Sequence, residues 1–326
     1  MSIIKVKNLK KSYEYYKKQP GLLSSLKSLF YREKLYAEAL KGINLEINEG
    51  ELIGFLGPNG AGKTTTLKIL SGILHPTEGN VSVLDYEPWK REEGYQKQFA
   101  LVMGQKNQLW WDLPAMESFM LNKEIYGVSD EDFKRSLDEL VEVLDIKDIL
   151  DVQVRKLSLG QRMKCELVAA LLHNPKILFL DEPTIGLDVV AQKSIRDFIK
   201  KYNETHKTTI ILTSHYMEDI KELCKRVVII DHGKIIYDGQ LEELIKQYAP
   251  YKLLTITFNS DGVKKEDVAK YGEVNEFEQY KVSIKVYRNQ VKNVASEILH
   301  SSFPVDDILI DEVEIQEVIR KIFYKK

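Results

Sequence analysis

The stretch Leu52-Ile53-Gly54-Phe55-Leu56, followed by Gly57-Pro58-Asn59-Gly60-Ala61-Gly62-Lys63-Thr64-Thr65, constrains this chain more than any other. The apolar run reads as a buried strand, and Leu67, Leu70 and Leu74 recur at helical spacing beyond the loop. Strand, glycine loop and helix in that order fit the G-x-x-x-x-G-K-[ST] pattern. Without side chains at Gly57, Gly60 and Gly62, the loop Gly57-Pro58-Asn59-Gly60-Ala61-Gly62-Lys63 can turn its backbone N–H groups, which Pro58 alone lacks, inward to wrap a polyphosphate. Lys63 reaches the outer phosphates, the Thr64 hydroxyl can ligate magnesium, and Thr65 adds a phosphate hydrogen bond. A chance glycine turn is the bland alternative, and the later motifs count against it.

Ile177, Leu178, Phe179 and Leu180 run into Asp181-Glu182, the pattern of a fully buried central strand with two carboxylates at its tip. Ligands of open α/β sheets bind at the carboxyl ends of strands, so this tip and the Gly57 loop are expected to share one crevice. There Asp181 would hold magnesium through water and Glu182 would act as general base on the attacking water. Thr209–Thr213 reads as a further strand ending at Ser214-His215. A lone His is more often a satisfied core or surface residue, but one at a second strand tip is placed to touch a γ-phosphate. Ahead of these strands, Leu157-Ser158-Leu159-Gly160-Gln161 opens a helix at Ser158, whose free N–H groups and dipole suit a terminal phosphate.

Together the Gly57 loop, Gln105, the Ser158 turn, Asp181-Glu182, Gly186-Leu187-Asp188 and His215 occur in the order found in ATP-binding cassette ATPases. Over about residues 1–240 the chain resembles the ATP-binding subunit of an ABC transporter of the drug, antibiotic or polysaccharide exporter type. The resemblance implies an α/β fold: a P-loop core with a mixed sheet, an antiparallel β subdomain and a helical subdomain spanning about 106–170. It also implies ATP and magnesium as ligands, ATPase activity coupled to transport, and head-to-tail dimerisation, as homodimer or heterodimer. In such a dimer ATP bridges the Lys63 loop of one subunit and the residues Ser158, Leu159, Gly160 and Gln161 of the other. Gln105 matches the loop that touches magnesium and senses the membrane permease, Asp188 the loop crossing the dimer seam, and His215 the switch histidine. The family carries Gly where this chain has Leu159, so the ATP contact is expected to rest on the Ser158 hydroxyl and on the Gly160 and Gln161 amides. Leu159 is expected to point away from the nucleotide.

The resemblance further places an aromatic ring against adenine, and Tyr13 is the match. An insertion over residues 14–37 leaves Tyr15, Tyr16 and Tyr36 as alternatives. Within it Leu22, Leu23, Leu26, Leu29 and Phe30 fall on one helical face flanked by Lys17, Lys18, Lys27, Arg32 and Lys34. Such a helix either packs on its own domain or lies against the permease or the membrane surface, as similar insertions do in polysaccharide exporters. Ser129 with Asp132 reads as a capping box ahead of Phe133, Leu137, Leu140, Val141 and Leu144. Trp110 and Trp111 either pack in the helical subdomain or line the groove for the permease, with core packing expected of at least one.

With 326 residues, 44% of them hydrophobic, the chain has room for a cassette and one smaller domain. No apolar stretch reaches the roughly 18 residues of a membrane span and no cleaved leader is legible, so a peripheral position at the cytoplasmic face of the membrane is expected. The 47 basic and 49 acidic residues nearly cancel, so nothing in the overall charge marks a nucleic-acid binder, and no nucleic-acid partner is expected. Cys165 and Cys224 lack metal or redox spacing and are expected to be buried and inert. After residue 240 a linker helix, 241–248, leads into an expected α+β domain ending at 326: strands at 253–258, 282–286 and 308–310, helices at 264–270, 291–299 and 315–323. It carries no chemical motif. The competing function is a soluble ATPase of the same family acting on ribosomes, DNA or an assembly machine. A single Gly57-type loop and the absence of long heptads weigh against it.

Overall fold

The computed structural model describes residues 1–16 and 34–324, and the chain forms two compact units, Met1–Asp238 and Gly239–Lys326. The first unit opens with β1 (Ser2–Tyr16) and β2 (Lys34–Asn48), continues through β3 (Leu52–Leu56) and α1 (Lys63–Leu70), and adds β4 (Glu78–Val83). β2, β1 and β4 form an antiparallel sheet in that order. Its alternation is that of a sheet with one dry face: Val6, Leu45 and Ile47 are buried between polar neighbours, with Ile4 and Ile43 buried on the same face. Residues 17–33, which carry the expected amphipathic face of Leu22, Leu23, Leu26, Leu29 and Phe30, lie outside the described residues. Their flanks are strand, because Glu14, Tyr15 and Tyr16 pair with Tyr36, Leu35 and Lys34.

The second sheet of this unit places the chemistry. After α2 (Glu93–Gln96) come β5 (Phe99–Met103), β6 (Ile177–Asp181), β7 (Thr209–Thr213), β8 (Arg226–Asp231) and β9 (Lys234–Gln240). The order is β5-β6-β7-β3-β8-β9, and the first five strands are parallel. Ile177, Leu178, Phe179 and Leu180 on β6 are at most 1% exposed, each burial worth about 1.5–3 kcal/mol. Met103 pairs with Asp181 and Asp181 with Thr213, so the carboxyl ends of three strands finish level. Loops leaving β5, β6, β7 and β3 therefore emerge along one edge of the sheet, where open parallel sheets bind ligands.

Between β5 and β6 the chain is helical: α3 (Ala115–Tyr126), α4 (Asp130–Leu144) and α5 (Leu159–Leu171), with α5 packed on both of the others. The Ser129 cap closes differently from a capping box. Its oxygen accepts the Asp132 N–H at 3.1 Å, but the Asp132 carboxylate takes the Ser129 hydroxyl at 2.8 Å instead of the Ser129 backbone N–H. Leu140, Val141 and Leu144 fill the buried stripe of α4. Both cysteines are free and buried, and burial pushes the Cys165 thiol up to about 12. α6 (Val189–His206) and α7 (Met217–Leu223) complete the unit. No helix among the described residues is long and apolar enough to cross a membrane.

The second unit begins with α8 (Leu241–Tyr248). It continues through β10 (Tyr251–Phe258), α9 (Lys265–Ala269), β11 (Glu273–Glu278), β12 (Lys281–Tyr287), α10 (Val291–Leu299), β13 (Val305–Glu312) and α11 (Ile315–Tyr324). Its antiparallel sheet runs β11-β12-β10-β13 over a core of Leu254, Ile256, Val282, Ile284 and Ile298. β11 is the element that periodicity does not show. Glu273, Glu276 and Glu278 are poor strand formers, and the segment is held as an exposed edge by its pairing with β12.

His173, just beyond α5, stacks on Tyr126 with ring centroids 3.8 Å apart, and its Nε2 lies 3.2 Å from the Phe99 carbonyl oxygen. Burial depresses its pKa to about 4 from the ordinary 6.5. Unfolding therefore takes up a proton below the unfolded value, so the stability supplied by the neutral ring is full above about pH 6.5 and is lost as pH falls toward 4. The predicted loss is on the order of 3 kcal/mol over that window. Thermal melts at pH 7 and pH 4.5 should show a drop that His173→Gln reduces; an unchanged pH slope in that variant contradicts the assignment.

Candidate active site

The loop from β3 enters α1 through Gly62, whose φ of +116° would strain any L side chain. Lys63 is turned back into the loop, 6% exposed, its Nζ donating to the carbonyl oxygens of Gly57 at 2.7 Å and Pro58 at 3.2 Å. Burial pushes its pKa down, while Glu182 and Asp181 hold it up. A polyphosphate offers this ammonium anionic acceptors in place of two neutral carbonyls, adding direct charge attraction to each bond.

Asp181, at the end of β6, is held by two hydroxyls. Thr64 donates to Oδ2 at 2.9 Å and Thr213 to Oδ1 at 2.7 Å. This compact set of oxygens from Thr64 and Asp181 fits magnesium, which takes hard oxygen ligands and retains water. Among the described residues no three His, Cys, Asp or Glu side chains converge on a metal site. Phosphate and water oxygens would complete the coordination of an ion here.

Glu182 follows in the left-handed region, φ +58°, an uncommon backbone for a residue with a side chain. Its N–H donates to the Thr213 carbonyl at 3.0 Å, with Thr213 Oγ1 at 3.1 Å. Gly104 packs on its carbonyl so closely that a Cβ there would lie 2.0 Å from the oxygen. The turn aims the carboxylate at two neighbours from the adjoining strand ends. His215 Nε2 lies 2.7 Å from Oε1, and Gln105 Nε2 donates to Oε2 at 3.4 Å. Behind them Asp219, fully buried, accepts from Thr184 at 2.5 Å, Ser214 at 2.6 Å and Arg196 at 3.1 Å. One carboxylate thus fixes the loops on which Glu182 and His215 sit.

Ser158 caps α5 with a complete capping box: its oxygen accepts the Gln161 N–H at 3.2 Å, and Gln161 Oε1 accepts the Ser158 N–H at 2.9 Å. In this structure the Gln161 amide, expected to face phosphate, is engaged by that cap. The Ser158 hydroxyl hydrogen and the Leu159 and Gly160 amides remain at the helix start, where N–H groups have no intrahelical acceptor. A Cβ on Gly160 would lie 2.9 Å from the Ala191 methyl, and one on Gly186 3.1 Å from Leu159 Cδ2. The turn therefore packs on the segment from Gly186 to Ala191. There Asp188 caps α6 by accepting the Ala191 N–H at 2.9 Å.

Comparison with known proteins supplies the family. The ABC transporter family profile matches residues 40–185, and an EvrA-like ABC transporter C-terminal domain matches residues 250–311. The chain is 33% identical over 215 residues to the ABC transporter ATP-binding protein NatA of Bacillus subtilis, covering 66% of this chain and 87% of that one. The chain belongs to the ABC transporter ATP-binding family. It is an ATP-binding cassette ATPase, the ATP-hydrolysing subunit of an ABC transporter. Other relatives include the linearmycin resistance ATP-binding protein LnrL of Bacillus subtilis, 34% identical over 67% of this chain and 70% of that one. The Nod factor export ATP-binding protein I of Burkholderia thailandensis is 32% identical over 75% and 80%. Among solved structures, an ATP-binding subunit of an ABC transporter superposes with TM-score 0.62 at 26% identity, covering 76% of this chain and 93% of that one. A dimeric cassette in a post-hydrolysis state bound to ADP and Pi gives 0.59 at 26% identity, covering 73% and 98%.

The structure places Tyr13 on the exposed part of β1 opposite Ala37, with Lys11 Nζ 5.3 Å from its ring centre. Tyr15 shares its face of the ribbon, whereas Tyr16 and Tyr36 lie on the other. Neither tryptophan packs in the cassette core: Trp110 is 57% and Trp111 45% exposed, Trp111 carrying the Arg162 guanidinium 5.5 Å from its ring. Sequence reading assigns no role to Thr213, Gly104 or Asp219. A polar residue closing the apolar run of β7 is the signal for Thr213. The other two depend on contacts across the sheet edge that no local pattern shows. Gly104→Ala should destabilise the cassette by about 1–3 kcal/mol and lower ATPase activity, because the methyl meets backbone that cannot yield. Urea unfolding and turnover equal to the parent's would contradict that reading of the contact.

Proposed function

We propose that this cassette closes on Mg-ATP against a second cassette, hydrolyses it with Glu182 as general base, and so drives a separate integral-membrane permease in the direction of export. The observation that carries the reading is the Glu182 carboxylate held between His215 and Gln105 at the level ends of parallel strands. A general base has to come within hydrogen-bond reach of the attacking water, and a carboxylate held at this strand edge beside the glycine loop is placed to do so once nucleotide binds.

The roles follow from position. Gly57, Pro58, Asn59, Gly60, Ala61, Gly62, Lys63, Thr64 and Thr65 cradle the phosphates, and Tyr13 stacks on adenine. Thr64 and Asp181, the latter through water, with Gln105 would hold the magnesium ion, which when bound screens the phosphate charge. His215, 2.7 Å from Glu182, sits where it can contact the γ-phosphate. Ser158, Leu159, Gly160 and Gln161 close the site from the second subunit, with Asp188 at the seam. The dimeric solved cassette with ADP and Pi supports that arrangement.

A permease partner is supported by the surface around Gln105. Exposed Trp110 lines a groove of about 370 Å³ together with Leu101, Leu109 and Tyr126 and the polar Asn107, Gln108 and Asn122, and an exposed tryptophan beside a mixed groove is a composition that interfaces favour. Export is supported by the names of relatives for linearmycin resistance and Nod factor export. The cassette then sits peripherally at the cytoplasmic face of the membrane. Glu182→Gln should lower turnover by roughly 10²–10⁴-fold while retaining ATP and accumulating nucleotide-bound dimers on gel filtration. Lys63→Ala should lose nucleotide binding. Hydrolysis by Glu182→Gln at the parental rate contradicts the base assignment.

A further inference from the structure

We propose that Glu166, supported by Arg162, is a positioning residue: from the helix that opens at Ser158 it sets the loop carrying Gln105, and through it the Glu182 carboxylate. The inference rests on the site reading above and goes beyond it. It names an internal link between the half-site this chain offers a partner and the half-site it keeps.

Glu166 lies in the middle of α5, among Cys165, Leu167 and Val168, all fully buried, and is itself only 3% exposed. Such a carboxylate is retained in an apolar helix face only where something needs it. Its Oε1 accepts the backbone N–H of Gln108 at 2.9 Å and of Leu109 at 3.4 Å. Its Oε2 is buried with no hydrogen-bond partner. One turn earlier on the same face, Arg162 lays its guanidinium over Trp111, 5.5 Å from the ring centre. The i, i+4 pair thus grips Gln108, Leu109 and Trp111 together. Burial drives the Glu166 carboxyl up, while the two amides and Arg162 pull it down.

The far end of this link is the site. Gln105 precedes the gripped segment by less than one turn of chain and donates to Glu182 Oε2 at 3.4 Å. Ser158 stands eight positions before Glu166, about 12 Å along the helix. Any displacement of α5 when Ser158 meets a partner's nucleotide is therefore passed to the Gln108 and Leu109 amides by a buried hydrogen-bonded contact. A purely apolar packing contact at residue 166 would leave those two N–H groups unanswered and the loop free to slide on the helix.

The test is steady-state ATPase kinetics on the full chain, with Glu166→Ala, Glu166→Gln and Glu182→Gln measured beside the parent. Loss of the acceptor in Glu166→Ala should lower kcat on the order of tenfold with KM for ATP little changed, because misplaced groups lose rate more than binding. Glu166→Gln keeps an oxygen for the two amides and should retain about half the parental kcat or more. The proposal is overturned if Glu166→Ala turns over at the parental rate, if its KM rises as much as kcat falls, or if the Gln variant loses as much as the Ala variant. If thermal melting shows that Glu166→Ala does not fold, Glu166→Leu fills the space without an acceptor and takes its place. Failure of both to fold makes residue 166 a folding determinant and also overturns the proposal. An inactive Glu182→Gln beside a parental Glu166→Ala removes this link alone, whereas an active Glu182→Gln removes the site reading beneath it.

Discussion

The site depends on the carboxylate of Glu182 and the contacts that hold it. Asp181 ends a strand buried on both faces, so the following residue is delivered to a fixed point with little freedom to relax. The left-handed backbone at Glu182, its N–H shared between two Thr213 oxygens and the close approach of Gly104 then set the direction of the side chain. His215 and Gln105 complete the arrangement from strands on either side. Parallel strands in flush register are what bring residues so distant in sequence to one carboxylate.

Charge is distributed around that point in a graded way. Lys63, buried in its loop, faces Asp181 and Glu182, so an arriving polyphosphate finds one cation and a hydroxyl-saturated aspartate. Deeper in the unit, Asp219 and Arg196 form a buried ion pair with Thr184 and Ser214 on the same carboxylate. A buried pair of this kind is weak evidence for stability, but removing one partner strands the other. Its place here is to keep two loops in register with the site.

Much of this was legible from residue order. The glycine loop, the apolar strand ending in Asp181-Glu182, the cap at Ser158 and the strand ending at His215 each carry a local physical signal, and the structure draws most of them to one sheet edge. The signals fail where burial depends on partners distant in sequence. Glu273–Glu278 shows no strand in its local pattern, yet forms one paired with β12. Trp110 and Trp111, large enough to suggest a core, stay exposed because Arg162 and the neighbouring groove receive them at the surface. The Gln161 amide illustrates a subtler limit: a pattern places an N–H near a phosphate, but a serine oxygen within the same turn competes for it.

The most direct test of the central claim is a high-resolution structure of the Glu182→Gln chain with Mg-ATP. The expected result is a dimer in which Lys63 Nζ has left the Gly57 and Pro58 carbonyls for the outer phosphates. The side chain at position 182 should lie within about 2.6–3.2 Å of a water in line with the γ-phosphate, and the Ser158 hydroxyl of the partner subunit should bond the same phosphate. Nucleotide bound to a single subunit, with the side chain at 182 turned away from the phosphate, would contradict it.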